Sequence, residues 1–359
     1  MHLNFNLSKK ILSWYDNNKR SLPWRVGKNS TKKLYYRLLS EFMLQQTQVN
    51  TVIPYFKKFT KKYKTLKLFS KYSEKKTLKL WEGLGYYARC RNFHKAAIII
   101  NRDHNGKIPE DWETFRSLPG VGDYTAAAVL SISYSLPYVV IDGNVKRVMA
   151  RVLGRKKLST RNMSMISNRL NNWIDKENPG EFNQAMMELG AILCKPKRPK
   201  CTVCPLQTVC KAVAVGDPAR YPDKIKKAIR PHYITVGGLI WRKNRFYVQK
   251  RNEGSMLGGL WEFPGGKVRK DESLEVALKT RIKEKFDLTP VILKKIGSVH
   301  HSYSHFSITF HGYHCKENGK YLKSKSEYKW IIPQEINTLA FPMANHKMFN
   351  LITEQGWDV

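Results

Sequence analysis

Two carboxylates in this chain have the surroundings of an acid–base pair. Glu41 lies in SEFMLQQTQV, flanked by Phe42, Met43 and Leu44. A carboxyl held among apolar groups has its pKa raised and can carry a proton near neutral pH. On a solvated helix edge it would be an ordinary anion. Asp142 lies in VVIDGNVKRV, directly before a strongly helical stretch. Asp is favoured at helix N-caps, where backbone N–H groups and the helix dipole keep it ionised. A protonated acid and a lasting negative charge are the pair that breaks a glycosidic bond. One protonates the leaving group and the other stabilises an oxocarbenium-like sugar.

Four cysteines form the second group. Cys194, Cys201, Cys204 and Cys210 are spaced C-x6-C-x2-C-x5-C. Four thiolates this close can close round one metal centre. Structural zinc is the rival reading, since four-cysteine zinc sites are common. Zinc folds usually pair two C-x2-C knuckles, however, and here there is one, with a longer arm on each side. That suits the wider [4Fe–4S] cubane held by four cysteines. The arm KPKRPK (195–200) adds a basic loop that a cluster would pin. Cys90 and Cys315 have no partners in sequence and no assigned role.

The stretch LPGVGDYTAAAV (118–129) is the third. Gly120 and Gly122 permit a tight turn around Val121 and leave backbone N–H groups uncovered. Such groups at a turn feeding a helix N-terminus bind anions. This is how a helix-hairpin-helix, here at about 115–130, grips a DNA backbone without reading sequence. A plain helix connection is the alternative. Tyr124 sits at the mouth of the second helix.

The elements that must hold these groups follow from periodicity. Residues 1–216 read as a mostly helical domain. In NVKRVMARVLG, Val145, Val148, Met149, Val152 and Leu153 make one continuous stripe. Residues 217–231 are charged and proline-broken, a linker. Residues 232–359 turn β-branched and aromatic around one helical stretch, DESLEVALKTRIKEKF, and read as a smaller α/β domain. The fold class expected is therefore multidomain: an all-α domain, then an α/β one. The chain has 359 residues, 64 Lys plus Arg against 28 Asp plus Glu, and a net charge of +36. That excess calls for a polyanionic partner, nucleic acid or an anionic membrane surface. No apolar run approaches the roughly 20 residues of a membrane span. The N-terminus lacks a signal-peptide core. The expectation is a cytoplasmic, nucleic-acid-binding monomer.

Glu41 in EFMLQQTQV, GLGYYARCRN, LPGVGDYTA, IDGNVKRV, FNQAMMELGA and the cysteine pattern occur together and in order. The combination resembles the MutY-type adenine DNA glycosylases of bacteria over nearly the whole chain, most strongly from about residue 14 to 210. Single motifs are shared with endonuclease III relatives. The resemblance implies a helix-hairpin-helix glycosylase domain with a [4Fe–4S] cluster on Cys194, Cys201, Cys204 and Cys210, followed by a Nudix-like domain. The substrate implied is double-stranded DNA bearing adenine opposite 8-oxoguanine or guanine, in a bacterial, nucleoid-associated setting. The adenine would be flipped into a pocket. In family terms Glu41 protonates adenine N7, Asp142 stabilises the sugar cation, and Asn144 helps organise sugar and water. Tyr124 assists at the sugar. Arg20, Trp24, Arg25, Leu44, Gln184 and Met187 match positions around the adenine. Gln46 and Tyr86 match residues that enter the duplex. Gly120, Val121 and Gly122 hold the DNA backbone.

In the second domain, GGLWEFPGGKVRKDES resembles the start of a Nudix signature. The rest departs from it. Thr280 and Arg281 stand where an Arg-Glu pair is expected, and of the next two glutamates only Glu284 remains. A magnesium site needs clustered carboxylates, so recognition rather than nucleotide hydrolysis is expected. The family's Phe-Ser-His recognition triplet appears as Tyr303-Ser304-His305. The rival functions are an endonuclease III-like glycosylase/lyase for oxidised pyrimidines, a non-catalytic damage binder, and a Nudix hydrolase with a DNA-binding arm. The lyase relatives use a lysine nucleophile two positions after the second hairpin glycine, where this chain has Tyr124. The binder would need neither Glu41 nor Asp142.

Overall fold

The computed structural model describes residues 2–26, 32–223, 229–318 and 326–357, with side chains from residue 7. Residues 224–228 of the expected linker lie outside the described residues. The chain forms two compact units: Met1–Tyr72 with Asn92–Lys226, and Ser73–Arg91 with Lys227–Val359. A division by sequence texture at 217–231 does not carry the excursion of residues 73–91. Among the described residues no helix is long and apolar enough to cross a membrane.

The helices in chain order begin with α1 (His2–Asn18), α2 (Lys33–Leu44), α3 (Val49–Lys62), α4 (Leu66–Ser70), α5 (Glu74–Trp81), α6 (Tyr87–Asp103) and α7 (Trp112–Arg116). They continue with α8 (Asp123–Tyr134), α9 (Gly143–Val152), α10 (Thr160–Trp173), α11 (Pro179–Glu188) and α12 (Lys211–Ala214). A π-helical turn, Leu189–Leu193, prolongs α11 toward Cys194. In the first unit, α2 buries Tyr35, Leu38, Leu39, Phe42 and Met43 at helical spacing. Phe69 stacks on Phe93 at 4.7 Å in the same aromatic core. The stripe of α9 packs Val145, Val148, Met149 and Val152 with Leu7, Ile11 and Tyr15 of α1, Leu170 of α10 and Phe182 of α11. Each such side chain contributes about 1.5–3 kcal/mol of burial, which fixes the start of α9. The small residues Thr125, Ala126, Ala127 and Ala128 are all buried, so α8 packs closely on α2 and α11.

Among the described residues the second unit forms a seven-stranded sheet, order β3-β2-β1-β6-β5 with β4 beside β1 and β7 beside β2. Its strands are β1 (His232–Arg242), β2 (Arg245–Lys250), β3 (Trp261–Glu262), β4 (Gly265–Lys267), β5 (Val291–Ser302), β6 (Ser307–Lys316) and β7 (Tyr328–Ile331). β1 and β6 run parallel; the other pairs are antiparallel. Strand alternation gives the sheet two apolar faces. Val236 and Ile240 pack with Ala277, Leu278, Ile282 and Phe286 of α13 (Leu274–Phe286). Leu239 packs on the other side with Ala344, Met348, Phe349 and Ile352 of α14 (Met343–Gln355). The result is an α/β sandwich with one helix on each face. Residues 73–91 join this unit through Glu82, which accepts from Phe341 N and pairs with His346 Nε2, each at 2.7 Å. Lys79 Nζ donates to Leu339 O at 2.7 Å.

Candidate functional site

Glu41 stands on the inner side of α2 at 2% exposure. The solvated-edge reading is thereby excluded. Burial pushes its pKa up; the charge of Arg37 and a hydrogen bond from Tyr124 oppose this, and the negative charge of Asp142 adds to it. The net direction is up. Tyr124 Oη donates to Glu41 Oε2 at 3.1 Å and lies 3.7 Å from Met187 Sδ. Burial and the Glu41 charge hold the Tyr124 pKa well above its ordinary value, so the phenol is a donor throughout the working range. The tyrosine at the mouth of α8 therefore touches the Glu41 carboxyl directly.

Asp142 caps α9: its Oδ1 accepts from Val145 N at 2.6 Å, and Asn144 Nδ2 donates to its Oδ2 at 3.1 Å. The cap is as the sequence predicts. Yet burial outweighs these hydrogen bonds and the charge of Arg147, and the Asp142 pKa is raised rather than depressed. Arg147 then links this corner to the cysteine loop. Its Nη2 donates to Asn144 Oδ1 at 2.9 Å and to Gly190 O at 2.7 Å, and its Nε to Cys194 O at 3.0 Å. Gly190 has no room for a side chain: a Cβ there would meet Asn144 Cβ at 2.6 Å. The π-helical turn can approach the start of α9 this closely only with glycine.

Arg20 and Arg25, in the segment after α1, converge on Glu188 at the end of α11. Arg20 Nε is 2.5 Å from Glu188 Oε1, and Arg25 Nη2 is 2.7 Å from Oε2. Glu188 is 1% exposed. Burial would raise its pKa, but the two arginines overcome this and hold it below the usual carboxylate range. Trp24 is buried edge-on against Phe56 at 5.3 Å. Gln184 is buried on α11 and accepts from Arg37 Nη2 at 3.2 Å. Leu44 closes α2, half-buried. Sequence reading did not single out Glu188, Arg147 or Arg37. Glu188 follows Gln184 by one turn, and Arg37 precedes Glu41 by one turn. That spacing is the only local signal, and their partners lie up to 168 residues away.

In the hairpin, Gly120 has φ +80 and a Cβ there would lie 2.7 Å from Phe42. Glycine is required. Gly122 is different: it is the extended N-cap of α8 and open to solvent, with nothing within 4 Å of where a Cβ would stand. Val121 is buried beneath the turn. Gln46, just past α2, is exposed with φ +55, a left-handed conformation uncommon for its type.

The four cysteines Cys194, Cys201, Cys204 and Cys210 form no disulfide and line one cavity with Val148, Val152, Leu189, Leu193 and Leu206. Among the described residues no three Cys, His, Asp or Glu groups form a single-ion site. Arg151, 2% exposed, reaches Cys194 Sγ at 3.1 Å and the carbonyls of Lys195 and Pro196. It anchors the basic loop, whose Lys195, Lys197, Arg198 and Lys200 are exposed.

Tyr86 and the 303–305 loop belong to the second unit, so they are not brought together with Glu41 within one unit. Tyr86 has φ +49 and its ring meets that of His305 edge-on at 6.5 Å. Tyr303 turns inward: it stacks on Phe306 at 4.8 Å, and burial raises its pKa to about 12. Ser304 and His305 are left exposed at the tip of the β5–β6 turn. At the Nudix-like signature, Arg281 is buried between the two remaining glutamates, 3.0 Å from Glu272 Oε2 and 2.8 Å from Glu284 Oε2. Its Nε donates to Lys267 O. A guanidinium thus engages both carboxylates that a cation would need.

Residues 39–176 match the HhH-GPD superfamily base excision DNA repair proteins, and residues 235–351 match the NUDIX domain. The chain is 37% identical over 304 residues to an adenine DNA glycosylase of Buchnera aphidicola subsp. Acyrthosiphon pisum, covering 83% of each. To the adenine DNA glycosylase of Homo sapiens it is 32% identical over 402 residues, covering 96% of this chain and 73% of that one. A thermostable thymine-DNA glycosylase of known structure aligns with a TM-score of 0.52 at 26% identity, covering 58% of this chain and 95% of that one. With a helix-hairpin-helix unit, a Nudix-like unit, and relatives this similar over most of both chains, the protein belongs to the adenine DNA glycosylase family.

Proposed function

We propose that this enzyme removes adenine mispaired with 8-oxoguanine, or with guanine, from double-stranded DNA by acid-assisted hydrolysis of the N-glycosidic bond. The observation that carries the reading is the buried Glu41 carboxyl, its pKa raised by desolvation, held by Tyr124 and electrostatically coupled to Asp142. Glu41 keeps its proton until an adenine flipped beside it offers N7. Protonated adenine is then a leaving group, and the bond electrons depart with the base. Asp142 stabilises the cationic sugar, positioned by the start of α9, and Asn144 organises sugar and water. Water completes the hydrolysis. Arg20, Trp24, Arg25, Leu44, Gln184 and Met187 form the surroundings of the base, with Glu188 locking both arginines in place. The hairpin of Gly120, Val121 and Gly122 meets the DNA backbone, with the Val121 N–H committed to Leu118 O at 3.0 Å and the N–H groups of the two glycines left for phosphate. Gln46 and Tyr86 enter the duplex, and Tyr303, Ser304 and His305 sense the opposing oxoguanine.

The reaction is monofunctional, since Tyr124 has no amine with which to form an imine. The cysteine donors fit a [4Fe–4S] cluster: four thiols surround one apolar-walled cavity. When bound, the cluster supplies a covalent anchor for the basic loop. The setting is the cytoplasm, at the nucleoid, as a monomer.

The test is Glu41→Gln on an A:8-oxoG duplex. The variant should bind with near wild-type affinity and lose at least about 100-fold in single-turnover excision. Near-normal excision would remove Glu41 from its role. Borohydride trapping should give little covalent complex; efficient trapping dependent on one lysine would contradict monofunctional hydrolysis.

A further inference from the structure

One buried charge at the site has no part in the steps above. Arg37 stands one turn before Glu41 on α2, so the two share a face. Arg37 is 6% exposed, its Nη2 bonds Gln184, and its Nε has no hydrogen-bond partner. Among the described residues no carboxylate lies within ion-pair distance of it. A guanidinium does not shed its proton inside a protein, and an unpaired buried cation is costly. The groups whose charge reaches Arg37 are Glu41, Arg25 in the segment after α1, Tyr15 on α1 and Tyr124 on α8. Those facing Glu41 are Arg37, Tyr124 and Asp142. Glu188 on α11 is committed to Arg20 and Arg25. The buried side of α3 offers only Val52, Phe56 and Phe59.

We propose that Arg37 is the counter-ion for the carboxylate that Glu41 becomes when its proton passes to the base, a positioning residue that also fixes the Gln184 amide. The inference rests on Glu41 as the acid. In the proton step the Glu41 O–H bond breaks and a base N–H bond forms, leaving a buried anion. Desolvation alone keeps an acid protonated but makes it a poor donor, because the same burial destabilises the anion. A fixed cation one turn away offsets this without admitting water. The charge of Arg37 accordingly opposes the burial effect on Glu41.

The test measures single-turnover excision on an A:8-oxoG duplex from about pH 5 to about pH 9, with full-length wild type, Arg37→Met and Arg37→Lys. Activity needs protonated Glu41, so it falls as pH rises through the Glu41 transition. Arg37→Met should move that limb up by about one pH unit or more and lower the acid plateau by about tenfold. Arg37→Lys, which keeps the charge, should leave the limb in place. A limb unmoved in Arg37→Met overturns the proposal, whatever happens to the plateau or the melting temperature. If Arg37→Met does not fold, Arg37→Gln takes its place: a limb displaced upward supports the proposal, and one left in place overturns it. An unmoved limb in Arg37→Met, with Glu41→Gln inactive, removes Arg37 alone. Near-normal excision by Glu41→Gln removes the acid on which the proposal rests.

Discussion

Asp142 caps α9, the proposed mechanism also needs its charge, and one substitution separates the two. Asn caps helices as well as Asp does. Asp142→Asn should therefore change stability by less than about 1 kcal/mol in urea unfolding, while single-turnover excision drops at least about 100-fold. Equal losses in both would assign Asp142 to structure. Glu41 is tested through pH. Its pKa is raised in the folded state by burial. The stability it contributes is thus full at low pH and is lost as pH rises through the folded value. Glu41→Gln should gain on wild type as the medium becomes alkaline, by about 1.4 kcal/mol per unit of elevation, read from unfolding curves on either side of neutrality. Both residues were legible in sequence, because an apolar run around a glutamate and an aspartate before an apolar stripe are local patterns. The raised pKa of Asp142 was not legible. Its cap predicts a depressed value, and only the packing around it shows that burial wins.

The loop–helix connections carry the site at the next scale. Gly190 permits the π-helical turn to meet Asn144, and Arg147 ties Asn144 to Cys194 O. Arg147→Ala should slow excision about tenfold or more while duplex affinity stays near wild type, since Asn144 loses its support but no proposed DNA contact is touched. Loss of binding with unaltered single-turnover rate would contradict this. Such connections escape sequence reading because long side chains reach across the chain: Arg147 to Cys194 spans 47 positions and Arg20 to Glu188 spans 168. The α9 stripe and the hairpin, by contrast, are written in adjacent residues. Even there the two glycines differ, one demanded by φ and crowding and the other merely open. Residues 73–91 carry the same helical texture as their neighbours, and only contacts such as Glu82 with His346 assign them to the second unit. The cysteine loop gives a visible test: the purified protein should be yellow-brown and contain iron, whereas a colourless protein holding zinc would refute the cluster.

For the whole molecule, the charge of +36 gives a solution property. Binding to duplex DNA should fall with salt at a log–log slope of about −0.9 per phosphate neutralised, and a flat response would contradict DNA as the polyanion. Two-unit architecture was legible from the change of texture near the linker, and in the Nudix-like half the Arg281 guanidinium pairs with both remaining glutamates. Oxidised dGTP with magnesium should accordingly yield no pyrophosphate. The central claim is base removal from a mispair, and it is tested most directly by single-turnover incubation of the wild-type protein with A:8-oxoG, A:G and oxidised-pyrimidine duplexes. The account predicts free adenine from the first two and no release from the third. Tight binding of A:8-oxoG with no adenine released, or preferential release of the oxidised pyrimidine, would contradict it.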